Sequence, residues 1–311
     1  MVSYYYRNLK TKSKGLKKID TYKSGVWVYV EDPSEVEIEE LVNKFNLDAG
    51  HIDDALDQDE VPRFEAEGNL NYVFTRFAYS GNDLQMTTVP LLIIVGADLF
   101  ITVSKRPFPR LERFIGGRIE SATTQRAKLM LQIMDQLVDD YDTKLTQVSR
   151  QIKTTRGRLR VEDIDNKDFI QFVTIEDELE EFLSALAPTN AILRRLLTGK
   201  HLKLYADDED LIEDLLLNNE QSIESCRSNL KTIVNIREAY STIMTNNLNR
   251  VIRQLTVLTV VLTIPTIVSS LYGMNVALPA DNNPAVFWLI ISFIFIVSAS
   301  LLAWFRHQRW L

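Results

Sequence analysis

Leu255–Tyr272 reads LTVLTVVLTIPTIVSSLY, and Val286–Phe305 reads VFWLIISFIFIVSASLLAWF; neither run holds a charged residue. A helix crosses the hydrocarbon layer of a bilayer with roughly 20 apolar residues. Counted from Val251 the first run has 22 residues, and the second has 20. The competing reading is a pair of buried core helices. Two such runs within the last 60 residues are hard to bury in a soluble fold. The chain therefore reads as a hairpin of two membrane spans, 251–273 and 286–305, joined by a loop at 274–285.

The flanks orient the hairpin. Arg250 and Arg253 precede the first span, and Arg306 and Arg309 follow the second, whereas the loop holds neither Lys nor Arg. Positive residues stay on the cytoplasmic side, so both termini are expected there and the loop outside. Trp288, Trp304 and Trp310 sit near the ends of the second span, where interfacial aromatics belong. The N-terminus, MVSYYYRNLK, lacks the apolar run of a signal peptide. The expected location is the cell membrane, crossed twice.

The rest of the chain is acidic. Of 35 Lys/Arg and 42 Asp/Glu, four and one lie after residue 249, leaving 31 against 41 in residues 1–249. Such a body does not suit nucleic acid, which needs a basic face, and does suit attraction of cations. The single cysteine, Cys226, excludes a disulfide within the chain and a cysteine-built zinc site. The histidines, His51, His201 and His307, lack ligand spacing, and His51 beside Asp53 and Asp54 reads as a surface residue. There is no phosphate-binding glycine loop. No enzyme and no organic cofactor are expected.

Between Gly199 and Pro265 there is neither Gly nor Pro. One helix can therefore run from Asp207 into the first span, some 60 residues or roughly 100 Å. Apolar residues at Ile212, Leu215, Leu216, Ile223, Cys226, Leu230, Ile233, Ile236, Tyr240 and Ile243 form a stripe along it. Residues 207–250 thus read as a stalk packed against neighbours. Upstream, Gly25–Val30, Asn71–Tyr79, Thr87–Val95 and Leu99–Ser104 read as strands, with a turn at Ser80–Asp83 and a helix from Ser34 to about Phe45. Residues 1–120 form an α/β domain in this reading, and 121–206 a charged helical hairpin broken near Gly157 and Asp165. The acids at 176–181 read as a solvated face.

Thr256, Thr259, Thr263, Thr266 and Ser270 are spaced 3, 4, 3 and 4. The line continues back to Ile252 and Asn249 and forward to Gly273. That period puts one row of hydroxyls on one side of the helix. Two readings fit: a coat of neutral oxygens along a narrow aqueous path, or close packing by small polar residues. Neither span holds an ionisable residue, which favours passive conduction over proton-coupled transport.

The first span closes on Tyr272-Gly273-Met274-Asn275, shortly before the second. This YGMN tetrapeptide, at this place, resembles the CorA magnesium channels, whose signature is Gly-Met-Asn. The resemblance extends to LVDDYDTKL (Leu137–Leu145), the stalk, TNNLNR before the first span, and the basic tail, and so covers essentially the whole chain. It implies a homopentamer whose five first spans surround a pore for Mg²⁺, with Co²⁺ or Ni²⁺ as minor substrates. Gly273, Met274 and Asn275 would form the selectivity filter. Asn249 and Thr266 match inner polar rings, and Ile252 and Leu255 a hydrophobic constriction that gates by dewetting. Regulatory Mg²⁺ would bind between subunits at Asp214, with Asp83 as the partner acid. Arg306 and Arg309 stand where the family has a thicker basic collar. The loop departs from the family's Met-Pro-Glu-Leu pattern and keeps Asp281 as its one acid. A zinc transporter of the same superfamily is the nearest rival, disfavoured by the intact Met274. A membrane-anchored scaffold that conducts nothing would leave the hydroxyl row unexplained.

Overall fold

The computed structural model describes residues 1–11, 13–81, 86–158, 166–200, 202–275, 284–308 and 310. Its longest strands are β5 (Leu70–Ser80) and β6 (Met86–Gly96), 11 residues each. They pair antiparallel from Leu70↔Gly96 to Ser80↔Met86. Each runs one residue past either end of the expected strand. With β1 (Val2–Tyr6), β2 (Lys17–Ile19), β3 (Trp27–Glu31), β4 (Arg63–Glu67) and β7 (Phe100–Ser104) they build one sheet, ordered β2-β1-β3-β7-β6-β5-β4. Only the central β3–β7 pair is parallel.

Both faces of the sheet are covered, which is why its central strands read as unbroken apolar runs. Trp27, Tyr29, Val73, Phe77, Leu91, Ile93 and Phe100 face one core. Helices α4 (Arg126–Arg158), α5 (Asn166–Leu197) and the start of α6 (Ala206–Tyr272) supply its other wall, through Leu129, Ile133, Leu193 and Ile212 among others. Val28, Val30, Tyr72, Phe74, Leu92, Ile94 and Ile101 face the opposite core, closed by α1 (Glu35–Phe45) and α2 (Ala49–Leu56). The period-2 alternation of side chains divides each strand between the two cores. The edge strands β2 and β4, KKI and RFEAE, carry charges that discourage further pairing. A short helix, α3 (Glu112–Ile115), seats Phe114 under Trp27.

Local chemistry sets the ends of several elements. Ser34 caps α1 in a reciprocal capping box with Glu37, and Asp48 caps α2 by accepting from the His51 N–H. The Trp27 indole donates to Thr102 Oγ1 at 2.8 Å, and the Tyr141 hydroxyl donates to the Arg76 carbonyl at 3.1 Å, so both buried polar tips are satisfied.

Two expectations are corrected. His51 is no free surface residue: its ring lies 4.4 Å from that of Tyr72, and its Nε2 is 3.5 and 3.6 Å from carboxylate oxygens of Glu65 and Glu67. Nor is 176–181 a wholly solvated face. Glu178 is buried, and its carboxylate accepts from the Met86 N–H at 2.8 Å, while Glu181 accepts from the Thr88 hydroxyl. A helical acid can point inward when a strand end offers it an unpaired N–H.

The chain divides into two compact units, Met1–Ile233 and Val234–Leu311. The first contains the sheet, α1 to α5 and the start of α6. The second contains the remainder of α6 and α7 (Pro284–His307). Both of its helices are long and apolar enough to span a bilayer, and almost none of either apolar window is buried within the chain. That exposure removes the reading of two soluble core helices.

Candidate functional site: the polar row of α6 and an acidic cavity

Along α6 the row expected from spacing carries a consistent hydrogen-bond pattern. The hydroxyls of Thr256, Thr259, Thr263 and Thr266 donate to the carbonyls of Ile252, Leu255, Thr259 and Leu262, at 2.7–2.9 Å. Each is an i→i−4 back-bond, the way a membrane helix satisfies a hydroxyl without a partner. The consequence is a polarity. With each proton turned into the backbone, the hydroxyl oxygen presents only lone pairs outward. A hydrated cation points its water protons outward, so a row of acceptors is complementary to it.

Thr259, Thr263, Thr266 and Ser270, with Leu262 and Ile267, line a groove of about 560 Å³. Asn249 is exposed, as are Ile252 and Leu255 one turn further on. Pro265 lies within the helix. Having no N–H, it leaves the Val261 carbonyl without its helical donor. At the outer end the Gly273 N–H closes on the Ser269 carbonyl at 2.9 Å, and Met274 and Asn275 are exposed just past the last helical turn. A Cβ at Gly273 would stand 3.2 Å from the Ser269 oxygen. A side chain there would crowd the last helical carbonyl. The loop residues 276–283, Asp281 among them, lie outside the described residues. At the other end of α7, Arg306 is exposed and the Trp310 ring lies 5.6 Å from that of Phe305. Arg309 lies outside the described residues.

The proposed sensor acid, Asp214, is exposed near the start of α6. It borders a cavity of about 400 Å³ with Asp207, Asp210, Asp135, Gln132, Gln136 and Lys128. Asp135 was not among the acids singled out from the sequence. Burial holds its carboxyl above the usual range, with the neighbouring Asp139 adding to the shift and Arg110 and Arg113 opposing it. Its signal was its place just before LVDDYDTKL, on the face of α4 that meets α6. Asp83 lies outside the described residues.

Among the described residues no three His, Cys, Asp or Glu side chains converge closely enough to hold a bare metal ion. The cavity fits a hydrated one better. Taking Mg–O at 2.1 Å and a water radius of 1.4 Å, a hexahydrated Mg²⁺ occupies roughly 180 Å³. That is less than the space available, and carboxylates reach such an ion through its waters.

A family model described as "CorA-like Mg2+ transporter protein" matches residues 22–307. The chain is 22% identical over 293 residues to the "Cobalt/magnesium transport protein CorA" of Methanocaldococcus jannaschii, covering 92% of this chain and 91% of that protein. It is 21% identical over 297 residues to the "Putative metal ion transporter YfjQ" of Bacillus subtilis, covering 91% and 89%. In three dimensions it is similar to the complete CorA magnesium transporter from M. jannaschii, with a TM-score of 0.88, 19% identity, and 100% and 99% of the two chains covered. It is also similar to the full-length CmaX protein, with a TM-score of 0.78, 21% identity, and 99% and 97% covered. The cytoplasmic domain of ZntB from Vibrio parahaemolyticus gives a TM-score of 0.63 at 12% identity, with 78% and 98% covered. At these identities the structural likenesses establish the fold.

Proposed function

The chain belongs to the CorA-like Mg²⁺ transporter family, and from that premise we propose that it is a pore conducting Mg²⁺ into the cell, closed by cytosolic Mg²⁺. The observation that carries this reading is the row of outward-facing hydroxyl acceptors on α6 ending at Gly273-Met274-Asn275. A homopentamer would bring five such rows around one axis, and each Asn275 amide oxygen would accept from the waters that Mg²⁺ gives up reluctantly. Neutral oxygens hold a hydrated ion without trapping it. The ion then moves down the membrane potential, which supplies roughly 4.6 kcal/mol per divalent cation at 100 mV. It passes Thr266, Thr263, Thr259 and Thr256 and the narrowing at Leu255 and Ile252, with Asn249 beyond. Co²⁺ and Ni²⁺, of similar size and hydration, are expected as minor substrates. Both termini are cytoplasmic in this reading, with Arg306 and Arg309 as a thin basic collar.

In the cytosol Asp214, Asp207, Asp210 and Asp135 would hold regulatory Mg²⁺ through its waters, with Asp83 of a neighbouring subunit completing the shell. Binding there favours one arrangement of the stalks over another, a coupling between two sites.

The test is Mg²⁺ flux into liposomes carrying the purified protein, wild type beside Asn275→Ala. Flux that depends on Asn275 supports both pore and filter. No flux from folded wild type with Mg²⁺ removed from the cytosolic side sinks the reading, in favour of zinc export first and a non-conducting scaffold second.

A further inference from the structure

The side of α6 turned away from the hydroxyl row is the side that α7 covers. Val257 is 1% exposed there, and Val261, Ile264, Pro265 and Val268 are half-buried. On α7 the least exposed residues are Val286, Ile290, Ile294, Ser298, Leu301 and Phe305, the last 6% exposed. Their spacing keeps each set on one side of its helix. Both helices belong to the unit Val234–Leu311, so among its described residues each stripe is the other's cover.

The break in α6 opens onto this covered side. Pro265 has no N–H to give the Val261 carbonyl, and a proline ring stands on the side of the carbonyl it strips. Since Pro265 lies on the stripe under α7, the Val261 oxygen faces α7 too. Hydrocarbon offers no water in place of the missing donor.

An independent defect of the opposite sign lies on α7. The exposed Ser300 hydroxyl donates back to the Ile296 carbonyl at 2.7 Å, as the threonines of α6 do with theirs. Ser298 does not follow this pattern. Its Oγ is shielded from solvent and has no hydrogen-bond partner. A buried hydroxyl without one is rare. The depths also match. Val257 and Phe305 are the most buried members of their stripes and mark one level. Counted from them toward the loop, Ile264 and Ser298 are each seven residues on, roughly 10 Å of helix. A spare donor and a spare acceptor thus share one level between two facing helices.

We propose that Ser298 is a positioning residue for the pore helix: its hydroxyl is the donor for the Val261 carbonyl, by side-chain rotation or through one water, and it fixes the bend of α6 at Pro265. This rests on the reading of α6 as pore-lining. A serine from a neighbouring helix is one of the ways a membrane protein repairs a proline break. Thr266, Ser270 and Gly273-Met274-Asn275 lie on the loop side of the bend, and Thr256, Thr259 and Thr263 on the other. The bend therefore decides whether both halves of the row line one path.

The test is a double-mutant cycle in the full-length protein, read as Mg²⁺ flux into liposomes and as melting temperature in detergent. Ser298→Ala should lower maximal flux about threefold, as a typical hydrogen bond between membrane helices implies. It should leave the external Mg²⁺ for half-maximal flux unchanged, because the filter is intact. It should also lower the melting temperature. Ser298→Thr keeps the hydroxyl and should restore both, and Ser300→Ala should behave as wild type. Pro265→Ala returns an N–H to the Val261 carbonyl, so adding Ser298→Ala to it should change neither reading further. Wild-type flux from Ser298→Ala, an equal loss in Ser298→Thr, or effects that add in the double variant would each overturn the proposal. A wild type that conducts nothing overturns the pore reading and the positioning role with it. The melting cycle then still decides the pairing, which non-additivity supports and additivity overturns.

Discussion

Glu178 shows how one side chain escapes a reading by pattern. In sequence it belongs to EDELEE, and helical periodicity gives no reason to bury it. In the fold it meets the first N–H of β6, and burial raises its carboxyl above the ordinary value against that hydrogen bond. A raised folded-state pKa means stability that is complete below the unfolded value and lost as pH rises through the folded one. Glu178→Gln keeps an acceptor for Met86 and removes the charge. Its melting temperature should match wild type near pH 4 and exceed it increasingly toward pH 8, with EDTA present throughout. A gap constant with pH would show that the carboxylate is not the cause. Trp27 is the reverse case, an apolar residue of a strand expected from the sequence that the structure places centrally. It is fully buried against Tyr29, Phe100 and Phe114. Trp27→Ala should cost about 3–5 kcal/mol in denaturant unfolding.

Among elements, what was legible followed the strength of the period. β5, β6 and α6 carry long apolar runs or stripes and were read to within a residue or two. β1, β2, β4 and α2 were not anticipated. β2 is three residues, β4 is RFEAE, and α2 is eight residues with two buried side chains, Ile52 and Ala55. Edge strands are kept polar to stop them pairing further, and that removes the alternation by which a strand is recognised. The polar row of α6 was legible as spacing, but its hydrogen-bond polarity was not, because spacing says nothing about where a hydroxyl proton goes. That polarity is testable. Thr263→Val keeps shape and loses the outward lone pairs, and should slow Mg²⁺ flux about fivefold, as a lost hydrogen bond of about 1 kcal/mol implies. Thr263→Ser keeps the oxygen and should conduct nearly as wild type. Equal loss in both would mean that the row packs helices together.

For the whole molecule, the acidic body and the apolar hairpin were readable from charge and hydropathy alone, whereas the acidic cavity was not. Its acids lie on α4 and α6, more than 70 residues apart from Asp135 to Asp207, and only packing brings them to one space. A unit charge about 5 Å from a divalent ion in water is worth roughly 1.7 kcal/mol. Asp214→Asn should therefore raise the cytosolic Mg²⁺ needed for closure about 15- to 20-fold, read as flux against internal Mg²⁺. Unchanged closure would remove Asp214 from the sensor. Cys226, buried where α6 packs in the N-terminal unit, has a further use. Burial pushes its thiol up to about 12, so at neutral pH it carries almost no thiolate. The natural chain should therefore react slowly with thiol reagents in its folded state, which labelling of the wild type checks. A cysteine placed singly at Asn249, Thr256, Thr259, Thr263 or Ser270 would report above that slow background. Modification by a small water-soluble methanethiosulfonate along that series would trace which of these positions water reaches.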